Sequence, residues 1–431
     1  MSTAPYKKIH LMGAGGVGMA GLAVLLKSRG HDVSGCDLHS TPRTRWLESQ
    51  GVRFFEGHSA DHVADADELV VTPAVPVDAP ELRRAREVGL RVRSRGEVLA
   101  ELVNESDAVA VCGSHGKTTT ATWTARLLLA LGEDVAWCIG GETGGFPVAH
   151  AASGPLVVEA DESDGTLALY RAKTLVVTNC EYDHPDHFAT REAYFECYER
   201  ARGQAGDVVE SEALPSLGPD AKACLSPLAP HNRKNARAAI EVALRRGHPL
   251  GTILAALPGI VSELPDRRFQ TIYPPAGSGP DSSDVPRVIA DYAHHPTEMA
   301  CAISMARRVC RGTLRVLFQP HRYSRTKALV ADFPAAFAEA DEVVLCPTYA
   351  AFEKPVEGGD AADLLAACRA AGTVRALSLA HSCREAWESV RSRMRPGDVT
   401  LLLGAGDIID IAPLVLETMQ GGSAPSRAIV E

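Results

Sequence analysis

The stretch "AVCGSHGKTTTATW" (residues 110–123) decides how this chain is read. It has the chemistry of a phosphate-binding loop but is shorter than the common form G-x-x-x-x-G-K-[ST]. Val111 stands where that form has its first glycine, and Gly113 lies two residues nearer to the lysine. Context settles the reading. Ahead of the loop, "DAVAVCG" is the continuous apolar run of a parallel strand buried on both faces. Behind it, Trp123, Leu127, Leu128 and Leu131 share one helical face, and Gly132 supplies a C-cap. Lys117 therefore stands at the head of a helix that follows a strand. There the backbone N–H groups of Gly113, Ser114, His115, Gly116, Lys117 and Thr118 would wrap phosphates. Lys117 would bring a cation to the terminal group, and the Thr118 hydroxyl would ligate magnesium.

Two further runs, "PLVVEADESDG" and "LVVTNCEYDHPDHF", are Val/Leu-rich strands ending in acids and histidines. In a parallel sheet they emerge at the same carboxyl edge as the loop. Glu159 and His184, at the strand tips, read as metal ligands that would offset phosphate charge. Asp161, Glu162 and Asp164 read as caps of the helices that follow.

Working toward the N-terminus, "KKIHLMGAGGVGMAGLAVLLKSRGHDVSGCD" gives a strand (Ile9–Met12), glycines at 13, 15, 16 and 18, a helix, and a second strand ending in Asp37. This is the dinucleotide-type arrangement, in which a helix N-terminus faces a diphosphate; a purely structural strand–helix turn reads the same way. "ELVVTPAVP" and "LRVRSRGEVLAEL" continue it as strand–turn–helix units. Toward the C-terminus, "RVIADYAHHPTEM", "LRVLFQPHRYSRTKAL", "DEVVLCPTYAAFEKPVEGG" and "DVTLLLGAGDI" are four more strands with polar loops, a further parallel α/β sheet. His294, His295, His321, Arg322 and Arg325 form a cationic group suited to carboxylates and phosphates.

The bounds agree. A chain of 431 residues predicts two or three domains. With 45% hydrophobic and 23% charged residues it has an ordinary globular composition. A net charge of −10 with no strongly basic region speaks against nucleic acid as a partner. No apolar run approaches the roughly 18 residues of a membrane span, and "MSTAPYKKIHLMGAGG" does not read as a signal peptide. The 11 cysteines are scattered, with no C-x-x-C pair and no zinc spacing, and are expected as reduced core thiols of a cytoplasmic protein.

In order along the chain, "HLMGAGGVGMAGLA", "GSHGKTTT", "EADESD", "TNCEYDHPDHF", "HNRKNARAAI", "RRFQ", "DYAHHPTE", "QPHRYSRT" and "GAGDI" resemble the Mur ligase family over nearly the whole sequence. The shortened Gly-x-x-Gly-Lys-Thr loop is the form that family uses for ATP. The resemblance implies an α/β protein of three domains: a Rossmann-like UDP-sugar domain (1–106), a central P-loop ATPase-type domain, here shortened (107–264), and a Rossmann-like amino-acid domain (265–431). It implies ATP and Mg2+ as cofactors, with UDP-N-acetylmuramate and L-alanine as substrates joined through an acyl phosphate in peptidoglycan precursor synthesis. Gly15, Gly16 and Gly18 would face the diphosphate, with Asp37, His58 and Thr72 near the uridine. Lys117 would bind the γ-phosphate beside Thr119, with Thr118, Glu159 and His184 around magnesium. His231, Asn232 and Asn235 match an adenine-contacting His-Asn-x-x-Asn, and Arg268 and Asp291 would touch the nucleotide. Tyr292, His321, Arg322 and Arg325 would receive the amino acid and the muramyl carboxylate, with His294 or His321 as the base for the amine.

The chain also departs from that pattern. Between Arg202 and His231 it is compressed by roughly half a hundred residues, and Ala229-Pro230 replaces the usual Gly-Arg. "GGFPVAHAASG" replaces a Thr-Asn-Ala loop, and residues 273–286 read as a Gly/Pro/Ser-rich surface hairpin. A nucleotide-binding relative with lost or altered turnover is the alternative function, and a ligase that adds a recycled peptide is the alternative within the family. The sequence sets no oligomeric state.

Overall fold

A computed structural model describes residues 6–143, 145–274, 285–351 and 353–420. The hairpin expected at 273–286 has its residues 275–284 outside this range. The chain forms two compact units, Met1–Asp266 and Arg267–Glu431.

The first unit holds two sheets. In one, five parallel strands, β1 (Lys8–Met12), β2 (Asp32–Asp37), β3 (Arg53–Glu56), β4 (Glu68–Val71) and β5 (Arg91–Ser94), stand in the order β3-β2-β1-β4-β5. Helices α1 (Val17–Ser28), α2 (Pro42–Ser49), α3 (Pro80–Val88) and α4 (Arg95–Asn104) link them. The other contains β6 (Ala108–Cys112), β7 (Ala136–Cys138), β8 (Ala149–His150), β9 (Leu156–Glu159), β10 (Thr174–Val177) and β11 (Asp207–Glu210) in the order β11-β10-β6-β9-β7-β8, with only β8 antiparallel. Its helices are α5 (Lys117–Ala130), α6 (Arg191–Gln204), α7 (Pro219–Leu225), α8 (Pro230–Arg245) and α9 (Leu250–Val261). The compressed stretch after α6 thus carries β11 and α7 before α8 begins at Pro230, where a missing N–H costs the helix nothing.

The two sheets share a core. Every residue of α1 from Met19 to Leu26 is buried, the pattern of a helix covered on all sides. Two glycines set that closeness: a Cβ at Gly21 would lie 2.5 Å from Cys138 Sγ, and one at Gly96 only 2.0 Å from Thr166 Oγ1.

The second unit has one sheet of β12 (Gln270–Tyr273), β13 (Arg287–Asp291), β14 (Leu314–Phe318), β15 (Glu342–Leu345), β16 (Ala376–Leu379) and β17 (Val399–Leu403), ordered β12-β13-β17-β14-β15-β16. All pairs are parallel except β12 on β13. The four strands read from sequence are β13, β14, β15 and β17. The two edge strands were not, because β12 and β16 are half-exposed and lack the continuous apolar run of a central strand. Because β13 and β14 both flank β17, the loops after these three open at one edge. Helices α10 (Pro296–Val309), α11 (Tyr323–Ala328), α12 (Phe333–Ala336), α13 (Ala361–Ala371), α14 (Cys383–Arg391) and α15 (Ala412–Gln420) cover it. All 11 cysteines are free thiols, and among the described residues no helix is long and apolar enough to cross a membrane.

Candidate functional site

The loop between β6 and α5 is built so that only glycine serves at its two turning points. Gly113 has φ +134° and Gly116 φ +80°, conformations that side chains resist. A Cβ at Gly113 would lie 2.0 Å from Thr178 Oγ1, and one at Gly116 would lie 2.6 Å from Asn235 Oδ1. The segment after β10 grips the loop from one side. Thr178 Oγ1 and Asn179 Nδ2 donate to the His115 carbonyl at 2.6 and 2.9 Å, and Asn179 Oδ1 accepts the His115 N–H at 2.9 Å. Ser114 Oγ donates to the Glu181 carbonyl at 2.6 Å and accepts the Glu181 N–H at 2.8 Å. No local sequence pattern marks Thr178 and Asn179, because their contacts run to residues more than sixty positions away. On the other side α8 presents Asn235 to Gly116, with Asn232 Oδ1 accepting from Asn235 Nδ2 at 3.2 Å. His231 stands in the same first turn of α8. The loop is thus fixed in shape by groups outside it, as a preorganised cradle requires.

At the head of α5, Lys117 Nζ donates to the Gly113 carbonyl at 2.6 Å and to both oxygens of Glu162 at 3.0 Å. Glu162 is fully buried. Burial alone would lower the lysine pKa, but the carboxylates of Glu162, Asp161 and Glu159 outweigh it and hold the ammonium above its ordinary range. The capping role read for Glu162 is therefore corrected: a carboxylate this buried stands opposite a cation, because an unpaired one is too costly. Asp161 and Asp164 accept the N–H groups of Ser163 and Thr166 at 3.0 Å each, which closes local turns, but neither is the N-cap of the 3-10 turn Thr166–Leu169, a place taken by Gly165.

Around this pair the expected metal ligands fall into two adjoining groups. Thr118 Oγ1 donates to Glu159 Oε1 at 3.2 Å, while Glu159 Oε2 accepts the Gly140 N–H at 2.8 Å. His184 Nε2 lies 3.5 Å from Glu162 Oε1, and donor atoms of Asp161, Glu162 and His184 converge within 4.8 Å. His184 holds φ +58°, a strained backbone for a residue other than glycine and of the kind found at functional positions. The Thr118 hydroxyl and the carboxylates are the hard oxygen donors that suit magnesium, and the glycine cradle beside them suits a polyphosphate. Thr119 is buried one residue further along α5.

Asp161 ties this region to the first sheet. Arg95 Nη2 lies 3.3 Å from Asp161 Oδ2, and a Cβ on Gly18 would come within 2.9 Å of Arg95 Nη1. Burial pushes the Asp161 pKa up, but Arg95, Lys117 and His184 outweigh it and hold the carboxyl well below its usual range. Sequence reasoning missed Arg95, which lies at the start of α4 and far along the chain from both partners. The glycine loop itself turns at Gly13 (φ +75°). Gly15 donates its N–H to Asp37 Oδ2 at 2.9 Å, and its carbonyl accepts from Arg43 Nη1 at 3.0 Å. Gly16 is the N-cap of α1, and Thr72 Oγ1 lies 4.0 Å from where a Gly13 Cβ would stand. His58 Nδ1 faces Glu81 Oε1 at 3.1 Å.

In the second unit, His294 follows β13 and His321 follows β14, and their rings stand 5.6 Å apart. Arg325 is buried, its Nη1 3.1 Å from His321 Nδ1, and the His321 ring stacks on Tyr349. Arg267 and Arg268 lie over the Tyr292 ring at 4.7 and 5.0 Å. Arg322, with φ +70°, sits 3.6 Å from Glu353. Asp291 accepts the N–H groups of Phe269 and Ala293 at 2.8 Å each, and burial raises its carboxyl pKa to about 6. Tyr292, His294, His321 and Arg325 are thus brought together at the ends of β13 and β14, the two strands that flank β17.

Residues 8–107 match the model of the Mur ligase family catalytic domain, and residues 267–406 that of the Mur ligase glutamate ligase domain. Over 96% of its length the chain is 38% identical to a protein of Kineococcus radiotolerans named UDP-N-acetylmuramate–L-alanine ligase, covering 96% of that protein. A protein of the same name from Anaeromyxobacter dehalogenans is 35% identical over 96% of the chain and 98% of its own length. The crystal structure of UDP-N-acetylmuramate–alanine ligase from Thermotoga maritima aligns with a TM-score of 0.76 at 26% identity, covering 97% of this chain and all of the other.

Proposed function

The chain belongs to the Mur ligase family, and from that premise we propose that it is an ATP-dependent ligase joining L-alanine to the carboxylate of UDP-N-acetylmuramate in peptidoglycan precursor synthesis. The observation that carries the reading is the glycine cradle with Lys117 held at its mouth by Glu162.

The muramyl carboxylate attacks the γ-phosphorus of ATP, giving an acyl phosphate and ADP. The alanine amine then attacks the acyl carbon, and phosphate leaves as the amide forms. In the first step two anions approach each other, and Lys117 supplies the positive charge that offsets their repulsion. Thr118, Glu159 and His184 would hold magnesium, which would supply further positive charge to offset that of the phosphates. The loop Gly113–Thr118 orients the triphosphate through backbone N–H groups, with Asn232, Asn235 and His231 toward the base, and Arg268 and Asp291 contact the nucleotide. Gly15, Gly16, Gly18, Asp37, His58 and Thr72 take the UDP portion. Tyr292, Arg322 and Arg325 receive carboxylates, for which the guanidinium fork is suited. His294 or His321 takes the proton from the ammonium of alanine so that a neutral amine attacks. His294→Ala and His321→Ala are therefore expected to lower kcat far more than ATP affinity; unchanged turnover in both would remove the assignment.

The reaction is tested by phosphate release with ATP, magnesium, UDP-N-acetylmuramate and a panel of amino acids. Release that needs both the nucleotide sugar and L-alanine supports the proposal. ATP binding without release under any amino acid supports a relative that has lost turnover.

A further inference from the structure

Beneath the glycine loop of the first sheet lies a second constellation that ATP chemistry does not use. His10 on β1, Cys36 on β2, His62 on the short turn Ala60–Val63 and Glu81 on the first turn of α3 each bring one donor atom to a common point, all within 4.8 Å of one another. We propose that His10, Cys36, His62 and Glu81 form a binding site for a divalent transition-metal ion, best suited to zinc.

The geometry fits that ion. His10 Nε2 is 3.3 Å from Cys36 Sγ, Cys36 Sγ is 3.4 Å from Glu81 Oε1, and Glu81 Oε1 is 3.0 Å from His62 Nδ1. A tetrahedral zinc with bonds of about 2.0–2.3 Å sets its ligand atoms about 3.3–3.8 Å apart; these three separations lie within a few tenths of an ångström of that range, and every other pair lies within 4.8 Å. The charges close as well, since one thiolate and one carboxylate neutralise a divalent cation in a buried place. His10, Cys36 and Glu81 are fully buried there.

The groups around the four ligands are those that support a metal. His10 Nδ1 lies 2.9 Å from Ser34 Oγ, which leaves Nε2 toward the common point. The His62 ring stacks on Phe55 with centroids 4.7 Å apart, and His58 Nδ1 stands 3.1 Å from Glu81 Oε1 as an outer partner. Such outer contacts fix ligand orientation. A hydrogen-bond network alone accounts poorly for Glu81. His58, His62, the Ser59 N–H and Cys36 all converge on Oε1, while the buried Oε2 has no hydrogen-bond partner. A buried carboxylate oxygen left unpartnered is uncommon and asks for a ligand. The Cys36 carbonyl also accepts the N–H groups of Gly13 and Ala14, at 2.9 and 3.0 Å. An ion on Cys36 would thus brace the strand end that carries the glycine loop.

The test titrates metal-stripped full-length protein with Co2+ in excess magnesium. The expected result is uptake of a single Co2+ with a thiolate-to-cobalt charge-transfer band and the intense visible bands of a tetrahedral ion, both erased by Zn2+. Cys36→Ser is expected to lose the charge-transfer band, and His62→Asn to weaken Co2+ affinity at least about 10-fold. A folded wild-type protein that shows no such band overturns the site, as does a band that persists in Cys36→Ser. If circular dichroism shows Cys36→Ser unfolded, His62→Asn decides, and unchanged Co2+ affinity in that variant overturns it.

Discussion

The first unit contains two strand–glycine loop–helix turns that look alike on paper and are finished in opposite ways. After β1, the loop Gly13–Gly16 is closed by an acid: Asp37, at the end of β2, accepts the Gly15 N–H, and α1 has no charged residue in its first turn. After β6, the loop Gly113–Gly116 is closed by a cation, Lys117, held by the buried Glu162. In the proposed function the first serves recognition, with Arg43 and Arg95 brought in from other elements. The second carries its own reactive charge together with the counter-charge that keeps the charge buried. A glycine pattern therefore locates a phosphate-sized opening, while the residue that seals it tells whether the opening binds or reacts.

The largest effect that could break this contrast is at Lys117. Lys117→Met is expected to lower kcat about 10³-fold or more and, by stranding Glu162, to cost about 3–5 kcal/mol of stability. Adding Glu162→Gln to that variant should restore much of the stability and none of the turnover, as read by thermal melts and phosphate release. A double variant no more stable than Lys117→Met would mean that the buried pair is not what seals the loop. Next comes the matched pair Gly113→Ala and Gly18→Ala. The first places a Cβ 2.0 Å from Thr178 Oγ1 at φ +134°, while the second meets only the end of the Arg95 side chain, at 2.9 Å. Urea denaturation should show a loss of about 2–4 kcal/mol for Gly113→Ala and about 1 kcal/mol or less for Gly18→Ala. Equal losses would show that the two loops are equally tight.

The smallest effect concerns Asp291, which ends β13 as Asp37 ends β2 and likewise accepts two backbone N–H groups. Burial raises its pKa to about 6. The folded value lies above the unfolded one of about 3.9, so its contribution to stability is fully present below that pH and is lost as pH rises through about 6. A carboxyl ¹³C titration should find its midpoint near 6; a midpoint near 4 would show that the two N–H bonds, not burial, dominate.

What the sequence revealed follows from what is local in it. The apolar run of β6, the Gly-Lys-Thr and the helical face of α5 are contiguous, so the cradle and the position of Lys117 were legible. So were β13 and β14 with His294 and His321 at their ends, because buried parallel strands announce themselves as unbroken apolar runs. Glu162 was not, since a carboxylate after a strand looks the same whether it caps a turn or lies buried against a lysine 45 residues away. Arg95 was hidden for a similar reason, its partners Gly18 and Asp161 lying on different elements. The His10–Cys36–His62–Glu81 group has no motif spacing because four separate elements supply it, and a search for paired cysteines passes over a site with one.

The central claim is that the cradle at Lys117 activates a carboxylate by phosphoryl transfer. It is tested most directly with UDP-N-acetylmuramate labelled with ¹⁸O in the muramyl carboxylate. The account predicts that, in the presence of L-alanine, each phosphate released carries one labelled oxygen, because the carboxylate oxygen that attacks the γ-phosphorus leaves with it. Phosphate released without label, while the amide forms at the same rate, would contradict it.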